Sequence, residues 1–167
     1  MVIPTYNEKE NISKLIKGIQ KEFKENKIKG EIIVVDDNSP DGTGKILEDL
    51  KKKQKNLKVI HRNRKLGLSS AVLEGWKIAD GEVLGVMDAD LSHSPKKIKE
   101  LFLAIKNKEV YVIFGDHIIK PNEEYQKIKE DLDNNLLKIF SCERGNAFSF
   151  VYKSILSNNL YSYKHKY

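Results

Sequence analysis

Gly81-Glu-Val-Leu-Gly-Val-Met-Asp-Ala-Asp90 is the stretch whose reading decides the fold. Its apolar run, Val83 to Met87, has the length of a buried strand and ends in two carboxylates separated by one alanine. On an extended chain, residues two apart face the same way. Asp88 and Asp90 are therefore expected to converge at the strand's exit. Paired carboxylates repel each other unless something neutralises them. A hard divalent cation does so, because Mg²⁺ takes oxygen ligands and is commonly held by one or two carboxylates plus substrate phosphates. An isolated pair of this kind is more often a strand running into a polar turn, so its meaning depends on the flanking chain.

Working outward, strands and helices alternate from residue 1 to 114. Met1 to Thr5 reads as a short strand broken by Pro4. Asn7 and Glu10 have the spacing of a capping box. Behind them Ile12, Leu15, Ile16, Ile19 and Phe23 recur at helical spacing. Glu31 to Val35 is a continuous apolar strand ending in Asp36-Asp37, and Ser39-Pro-Asp-Gly42 is turn chemistry. Ile46, Leu47 and Leu50 mark a second helix, Leu57 to Ile60 a third strand, and Arg62 to Gly67 a polar loop. Leu68, Val72, Gly75, Trp76 and Ala79 form the next helical stripe, with Trp76 in the core. After the opening strand, Ser94-Pro95 starts a helix with Ile98, Leu101, Phe102 and Ile105 inward. Glu109 to Phe114 is a fifth strand.

Strands apolar on both faces, alternating with helices, predict a three-layer α/β/α fold around a mostly parallel, Rossmann-like sheet. In such sheets ligands bind beyond the carboxyl ends of the strands. Every polar cluster falls there: Thr5 to Glu8, Asp36 to Ser39, Arg62 to Lys65, and Asp88 to Ser92. Asp36-Asp37 reads either as a solvated strand end or as an acceptor for a nucleobase or ribose. Tyr6 reads either as a base-stacking ring or as turn packing. Beyond Gly115 the pattern changes: Tyr125, Ile128, Leu132, Leu136, Ile139 and Phe140 predict one long amphipathic helix, and Phe148, Val151 and Ile155 a shorter one. The expected division is an α/β domain over 1–120, a helical extension over 121–157 and a polar tail over 158–167.

The chain has 167 residues, 40% apolar and 32% charged, which is one domain's worth of soluble protein. No apolar run reaches a membrane span of about 18 residues, and the N-terminus lacks a secretory leader's pattern. A single cysteine, Cys142, excludes an intrachain disulfide and is compatible with a reducing cytoplasm. The net charge of +6 comes from lysine, with only Arg62, Arg64 and Arg144 as arginines. Lysine runs without interleaved aromatics argue against nucleic acid. A basic surface still favours anionic phosphates or an anionic membrane face. Dinucleotide redox chemistry and P-loop hydrolysis are disfavoured, because no G-x-G-x-x-G follows the first strand and no Walker lysine occurs. His61 and His93 lack metal-ligand spacing, and no G-x-S-x-G elbow supports a serine nucleophile. A nucleotidyltransferase is disfavoured because its glycine-rich N-terminal loop with a basic residue is missing.

Val2-Ile-Pro-Thr-Tyr-Asn-Glu8, Val34-Val-Asp-Asp-Asn-Ser-Pro-Asp-Gly-Thr43, Gly67-Leu-Ser-Ser-Ala71 with Glu74-Gly75, and Val86-Met-Asp-Ala-Asp-Leu-Ser-His93 together closely resemble family 2 glycosyltransferases. Within that family the likeness is to the dolichol-phosphate (polyprenyl-phosphate) mannosyltransferase branch. It covers residues 1 to about 115 and is thin beyond. The resemblance implies a nucleotide-diphospho-sugar fold of the GT-A type and inverting, metal-dependent transfer of a hexose from a nucleotide-sugar, GDP-mannose foremost, to a polyprenyl or dolichyl phosphate at a membrane surface. It implies that Pro4, Tyr6, Glu8, Val35 and Asp37 hold the guanosine. Asp88 and Ala89 would contact nucleotide, and Asp88 and Asp90 would carry the catalytic Mg²⁺ or Mn²⁺. Ser92 stands where relatives often have glutamine as a further metal ligand, and its shorter reach suits contact through water. A location in the cytoplasm or at the cytoplasmic face of a membrane follows, with room for a membrane-anchored partner subunit.

The acceptor side departs from the pattern. Where relatives carry Gly-Ser-Arg after the fifth strand, this chain has Gly115-Asp116-His117. Where they carry an arginine four residues before Ser141, it has Leu137 with Lys138 beside it. His117, Lys138 and Ser141 are the remaining candidates for gripping the acceptor phosphate, without arginine's bidentate fork. The later Ser-Gly-Phe-Arg-like segment is absent, and Val-Ile-Pro lacks the few residues that usually precede it. The alternative expectation is therefore a truncated, catalytically silent relative that binds nucleotide-sugar or a partner chain.

Overall fold

The computed structural model describes residues 1–106, 112–114, 117–119 and 149–152, with side chains through residue 103. Seven strands form one sheet: β1 (Val2–Thr5), β2 (Ile32–Asp36), β3 (Leu57–His61), β4 (Val83–Val86), β5 (Val112–Phe114), β6 (His117–Ile119) and β7 (Ser149–Tyr152). Their order is β3-β2-β1-β4-β7-β5-β6. β1 pairs in parallel with both β2 and β4, and β2 with β3. β7 runs antiparallel to β4 and to β5, so β5 points the same way as the four parallel strands. The expected three-layer α/β architecture is present, with α1 (Ile12–Glu25), α2 (Thr43–Lys51), α3 (Leu68–Lys77) and α4 (Lys97–Lys106) on the sheet.

The two faces are packed by alternation. Ile3, Ile32 and Val34 point to one face, where they join Ile12, Leu15, Ile16, Ile19 and Phe23 of α1, Leu47 of α2 and Ile98 of α4 in one core. Each such fully buried aliphatic side chain stabilises by roughly 1.5–3 kcal/mol relative to exposure. Val2 points to the opposite face and meets α3, the helix that carries the chain back over the sheet from β3 to β4. Contact there is close: a Cβ on Gly75 would lie 2.5 Å from Val2 Cγ1. Trp76, expected in the core, is 1% exposed.

Several sequence expectations are corrected. Pro4 does not break β1, which pairs continuously through Pro4↔Val35 and Thr5↔Asp36. The helix after Asn7 begins later than the capping box implies. Asn7 has φ 58°, its N-cap position is Asn11, and no side chain caps it. The Glu8 carbonyl accepts from the Asn11 and Ile12 amides instead, because Asn7 turns left-handed and the first turn forms around Glu8. α4 starts at Lys97, after a turn in which Lys97 and Ile98 donate to the Ser94 and Pro95 carbonyls. The short helix expected around Val151 is β7: a stretch that aligns with helical spacing in isolation extends when it has two strand edges, β4 and β5, to pair with. Consequently β5 is not a direct neighbour of β4. The long helix expected over Tyr125 to Phe140, the polar tail, Phe148 and Ile155 lie outside the described residues.

Gly75→Ala is expected to destabilise the protein by about 1–3 kcal/mol through overpacking of α3 on β1. Urea denaturation reads this as a lower midpoint with an unchanged slope; a midpoint equal to the parent's would mean that α3 has room to withdraw.

Candidate active site

The crevice originates in β1. The Met1 and Thr5 carbonyls accept from Ile33 and Asp37 of the β2 side, whereas the Val2 carbonyl accepts from Met87 at 3.1 Å. Odd residues thus face β2 and even residues face β4. Pro4 is even and has no N–H to give. Pairing of β1 with β4 is limited to Val2↔Val86. The strand order also reverses here, since β2 and β3 lie on one side of β1 and β4 on the other. This is the topological switch point at which open α/β sheets bind ligands.

The four rim loops carry the expected polar clusters. Tyr6 follows β1, and Asp37 donates its amide to the Thr5 carbonyl at 2.8 Å, so the two residues sit side by side. The loop after β2 then stitches the loop after β1 in place. Ser39 Oγ accepts from the Asn7 amide at 2.9 Å, Thr43 Oγ1 from the Glu8 amide at 3.0 Å, and Asp41 Oδ2 from the Lys9 amide at 3.1 Å. Asp41 Oδ1 accepts from the Thr43 amide and hydroxyl at 3.0 and 2.6 Å. Burial pushes the Asp41 carboxyl up, but the Thr43 hydroxyl and amide and the Lys9 amide outweigh it, leaving it below the usual carboxylate range. Gly42, at φ 97°, is the residue that permits the turn into α2.

Asp36 and Asp37 are not a solvated strand end; both are 4% exposed. Asp36 accepts from the Ser39 hydroxyl at 2.5 Å and faces His61 Nδ1 at 3.4 Å, while His61 Nε2 reaches Glu48 at 3.0 Å. His61 thereby ties β3 to α2. Asp37 accepts from Arg62 Nη1 at 3.0 Å, from the Leu66 amide at 2.8 and 3.0 Å, and from the Gly67 amide at 2.7 Å. These contacts engage both carboxylate oxygens, so Asp37 shapes the loop after β3.

Arg62 is the residue that sequence reading passed over, as part of a polar loop. Its side chain is 5% exposed and also donates to Glu74 at 3.0 Å, the Gly67 carbonyl at 3.2 Å and the Ser70 hydroxyl at 2.7 Å. An arginine directly after a strand, in a chain whose cations are almost all lysine, was the available signal.

On the other side of β1, the register Val2↔Val86 carried two residues onward sets Asp88 level with Pro4. Strand alternation does not by itself set the relation of Asp88 to Asp90, because β4 ends at Val86 and the chain turns at Ala89-Asp90, with Leu91 at φ 64°. Asp88 and Ala89 are buried and Asp90 is exposed. The Asp90 carboxylate accepts from the Ser92 amide at 2.9 Å. Burial pushes its carboxyl up, yet the Ser92 hydroxyl and amide and the charge of His93 outweigh that effect and hold it below the ordinary range. Among the described residues no three His, Cys, Asp or Glu side chains cluster as a metal site.

Pro4, Tyr6, Glu8, Val35 and Asp37 therefore share the rim of β1 and β2, with Asp88, Ala89, Asp90 and Ser92 across the switch point. His117 lies in β6 at the sheet's far edge, separated from β4 by β7 and β5. Lys138 and Ser141 are outside the described residues. No described helix is long and apolar enough to cross a membrane.

Residues 1–161 match the family model described as Glycosyl transferase family 2. The chain is 48% identical over 110 residues to a dolichol-phosphate mannosyltransferase of Pyrococcus furiosus, covering 64% of this chain and 30% of that protein. It is 41% identical over 106 residues to the Saccharomyces cerevisiae dolichol-phosphate mannosyltransferase, covering 61% of this chain and 39% of that one. It thus spans well under half the length of these relatives. Among solved structures, a mannosyltransferase from Pyrobaculum calidifontis in complex with GDP-Man and Mn²⁺ superposes with a TM-score of 0.67 at 19% identity, over 94% of this chain and 45% of that one. S. aureus TarS 1-349 superposes with a TM-score of 0.64 at 21% identity, over 95% of this chain and 48% of that one. These two likenesses establish the fold.

Arg62→Met leaves Asp37 buried without its cation and should cost about 3–5 kcal/mol, measured by urea denaturation; a loss below 1 kcal/mol would show that the loop amides suffice. Asp41→Ala should lower stability at neutral pH by roughly 1 kcal/mol, as for loss of a helix-capping acceptor. Because the folded Asp41 carboxyl lies below its unfolded value, its contribution is full above the unfolded pKa and is lost as pH falls through the folded one. The gap between Asp41→Ala and parent should therefore close in acid and stay constant from pH 6 to 8.

Proposed function

The chain belongs to glycosyl transferase family 2, and we propose that it moves a hexose, mannose from GDP-mannose foremost, to a polyprenyl phosphate at a membrane surface, with inversion and with a divalent metal. The observation that carries this reading is the placement of the Tyr6–Asp37 rim and the Asp88–Asp90 turn on the two sides of β1, at a switch point that Pro4 keeps open.

Pro4, Tyr6, Glu8, Val35 and Asp37 hold the nucleoside in this reading. Pro4 and Val35 are buried and paired in register, beside the start of the Tyr6 loop. Asp88 and Ala89 contact the nucleotide from the other wall. Asp88 and Asp90 would hold Mg²⁺ or Mn²⁺: two carboxylates, one exposed and kept charged by Ser92 and His93, leave the remaining ligand positions for a diphosphate, as Mg²⁺ sites commonly do. The metal, when bound, offsets the negative charge that develops on the departing nucleoside diphosphate. Ser92 orients Asp90 and reaches the site only through it or through water.

Transfer forms a bond between an acceptor phosphate oxygen and the sugar's anomeric carbon. It breaks the bond from that carbon to the diphosphate oxygen, and the bonding pair leaves with the nucleotide. The acceptor is already anionic at neutral pH and needs no general base. It needs positive charge to hold it, for which His117 and Lys138 are the candidates, with the Ser141 hydroxyl as a further hydrogen-bond donor. The replacement of arginine at Gly115-Asp116-His117 and at Leu137 favours a second reading, donor binding without turnover.

GDP-mannose with Mn²⁺ is expected to raise the melting temperature; at 100 times the Kd a native-state ligand adds about 2.7 kcal/mol. Asp90→Ala should remove the Mn²⁺-dependent part of the shift. A flat response to GDP- and UDP-sugars at millimolar concentration would sink the donor assignment. Radiolabelled transfer to polyprenyl phosphate then separates the two readings: product supports the transferase, and donor binding with no product supports the silent binder.

A further inference from the structure

Lys65 lies with its Nζ 3.7 Å from the centroid of the Tyr6 ring. The two residues belong to loops after β3 and β1, which are separated by β2, so their contact bridges across the end of β2, where Asp37 sits. Both supports are fixed. The Lys65 loop is pinned by Arg62 Nη1 and by the Leu66 and Gly67 amides, all on Asp37. The Tyr6 loop is pinned by the amides of Asn7 and Glu8 on Ser39 and Thr43. The side chains at the bridge are accessible to solvent: Lys65 is exposed and Tyr6 is 37% exposed.

We propose that Lys65 is a built-in competitor and positioning residue of the nucleoside subsite: its ammonium occupies the face of Tyr6 that the donor's base takes on entry, and once displaced it turns to the donor's phosphates. This rests on the reading of Tyr6 and Asp37 as the nucleoside subsite. The exchange is favourable because base–aromatic stacking is stronger than an exposed cation–π contact. The displaced cation does not return to bulk water, since an anionic diphosphate has arrived beside it. An uncharged nucleoside gives up the same cation–π contact without that return. Lys65 therefore sets a preference for charged nucleotide over bare nucleoside, which hydrogen bonding to the base alone would not create.

The test is an NMR titration of the full chain and of Lys65→Met, Lys65→Arg and Tyr6→Leu with guanosine, uridine, GDP and UDP. In Lys65→Met the better-bound nucleoside should bind about 2–5-fold more tightly, the equivalent of about 0.5–1 kcal/mol for an exposed cation–π contact. Its diphosphate should bind no better or more weakly, so the diphosphate's advantage shrinks. Lys65→Arg, which keeps a cation over the ring, should retain the parent's preference. Without ligand, the Lys65 ε-methylene protons should be shifted upfield by the Tyr6 ring, and Tyr6→Leu should remove that shift. Unchanged or weaker nucleoside binding in Lys65→Met, or no upfield shift in the parent, overturns the proposal. If the parent binds diphosphates but Lys65→Met behaves identically, only the role of Lys65 falls; if the parent binds none of the four, the donor-site reading falls with it.

Discussion

One missing hydrogen-bond donor organises the molecule. Pro4 lies inside a seven-stranded sheet, on the strand next to its middle one, and faces β4 with no N–H. A central strand would ordinarily exclude proline, because each lost ladder bond leaves a carbonyl to be satisfied elsewhere. Here the cost falls at the carboxyl end, just where β1 and β4 part after Val2↔Val86. That point lies between the Tyr6 loop and the Asp88 turn, the two walls of the candidate site. Every other feature of the rim, from the stitched loops to the buried Arg62, serves to hold those walls.

Charge at the rim follows a division of labour. Asp36, Asp37 and Asp41 are consumed by protein donors and act as architecture: they align the loops after β1, β2 and β3. Asp90 is exposed, and its partners Ser92 and His93 keep it charged rather than bury it. Carboxylates satisfied from within can still line a pocket through their remaining lone pairs, whereas the exposed Asp90 is the one most open to a ligand.

Errors in the sequence reading share one cause. Periodicity places Val151 on a helix because a short apolar segment carries no record of its partners; the free edges of β4 and β5 decide that it extends. Alternation sets Asp88 and Asp90 on one face, a statement valid only while the strand continues, and it ends at Val86. The capping box at Asn7 and Glu10 fails because the Asn7 backbone is left-handed, held by a hydroxyl 32 residues away. In the first and last of these a local rule is overruled by a contact that is distant in sequence.

The amino-acid sequence alone determined the alternation of strands and helices through Phe114, the apolar faces of α1 and α3, and the gathering of polar clusters at strand ends. These depend on periods of two and 3.6 residues that the backbone imposes locally. Family membership was legible in the same blocks, since they are contiguous. What only the tertiary structure decided was the insertion of β7 beside β4, the buried Arg62–Asp37 pairing and the bridge from Lys65 to Tyr6. Those require residues 25 and 59 positions apart to meet, and the order in which strands lie side by side, which brings them together, is written in no local pattern.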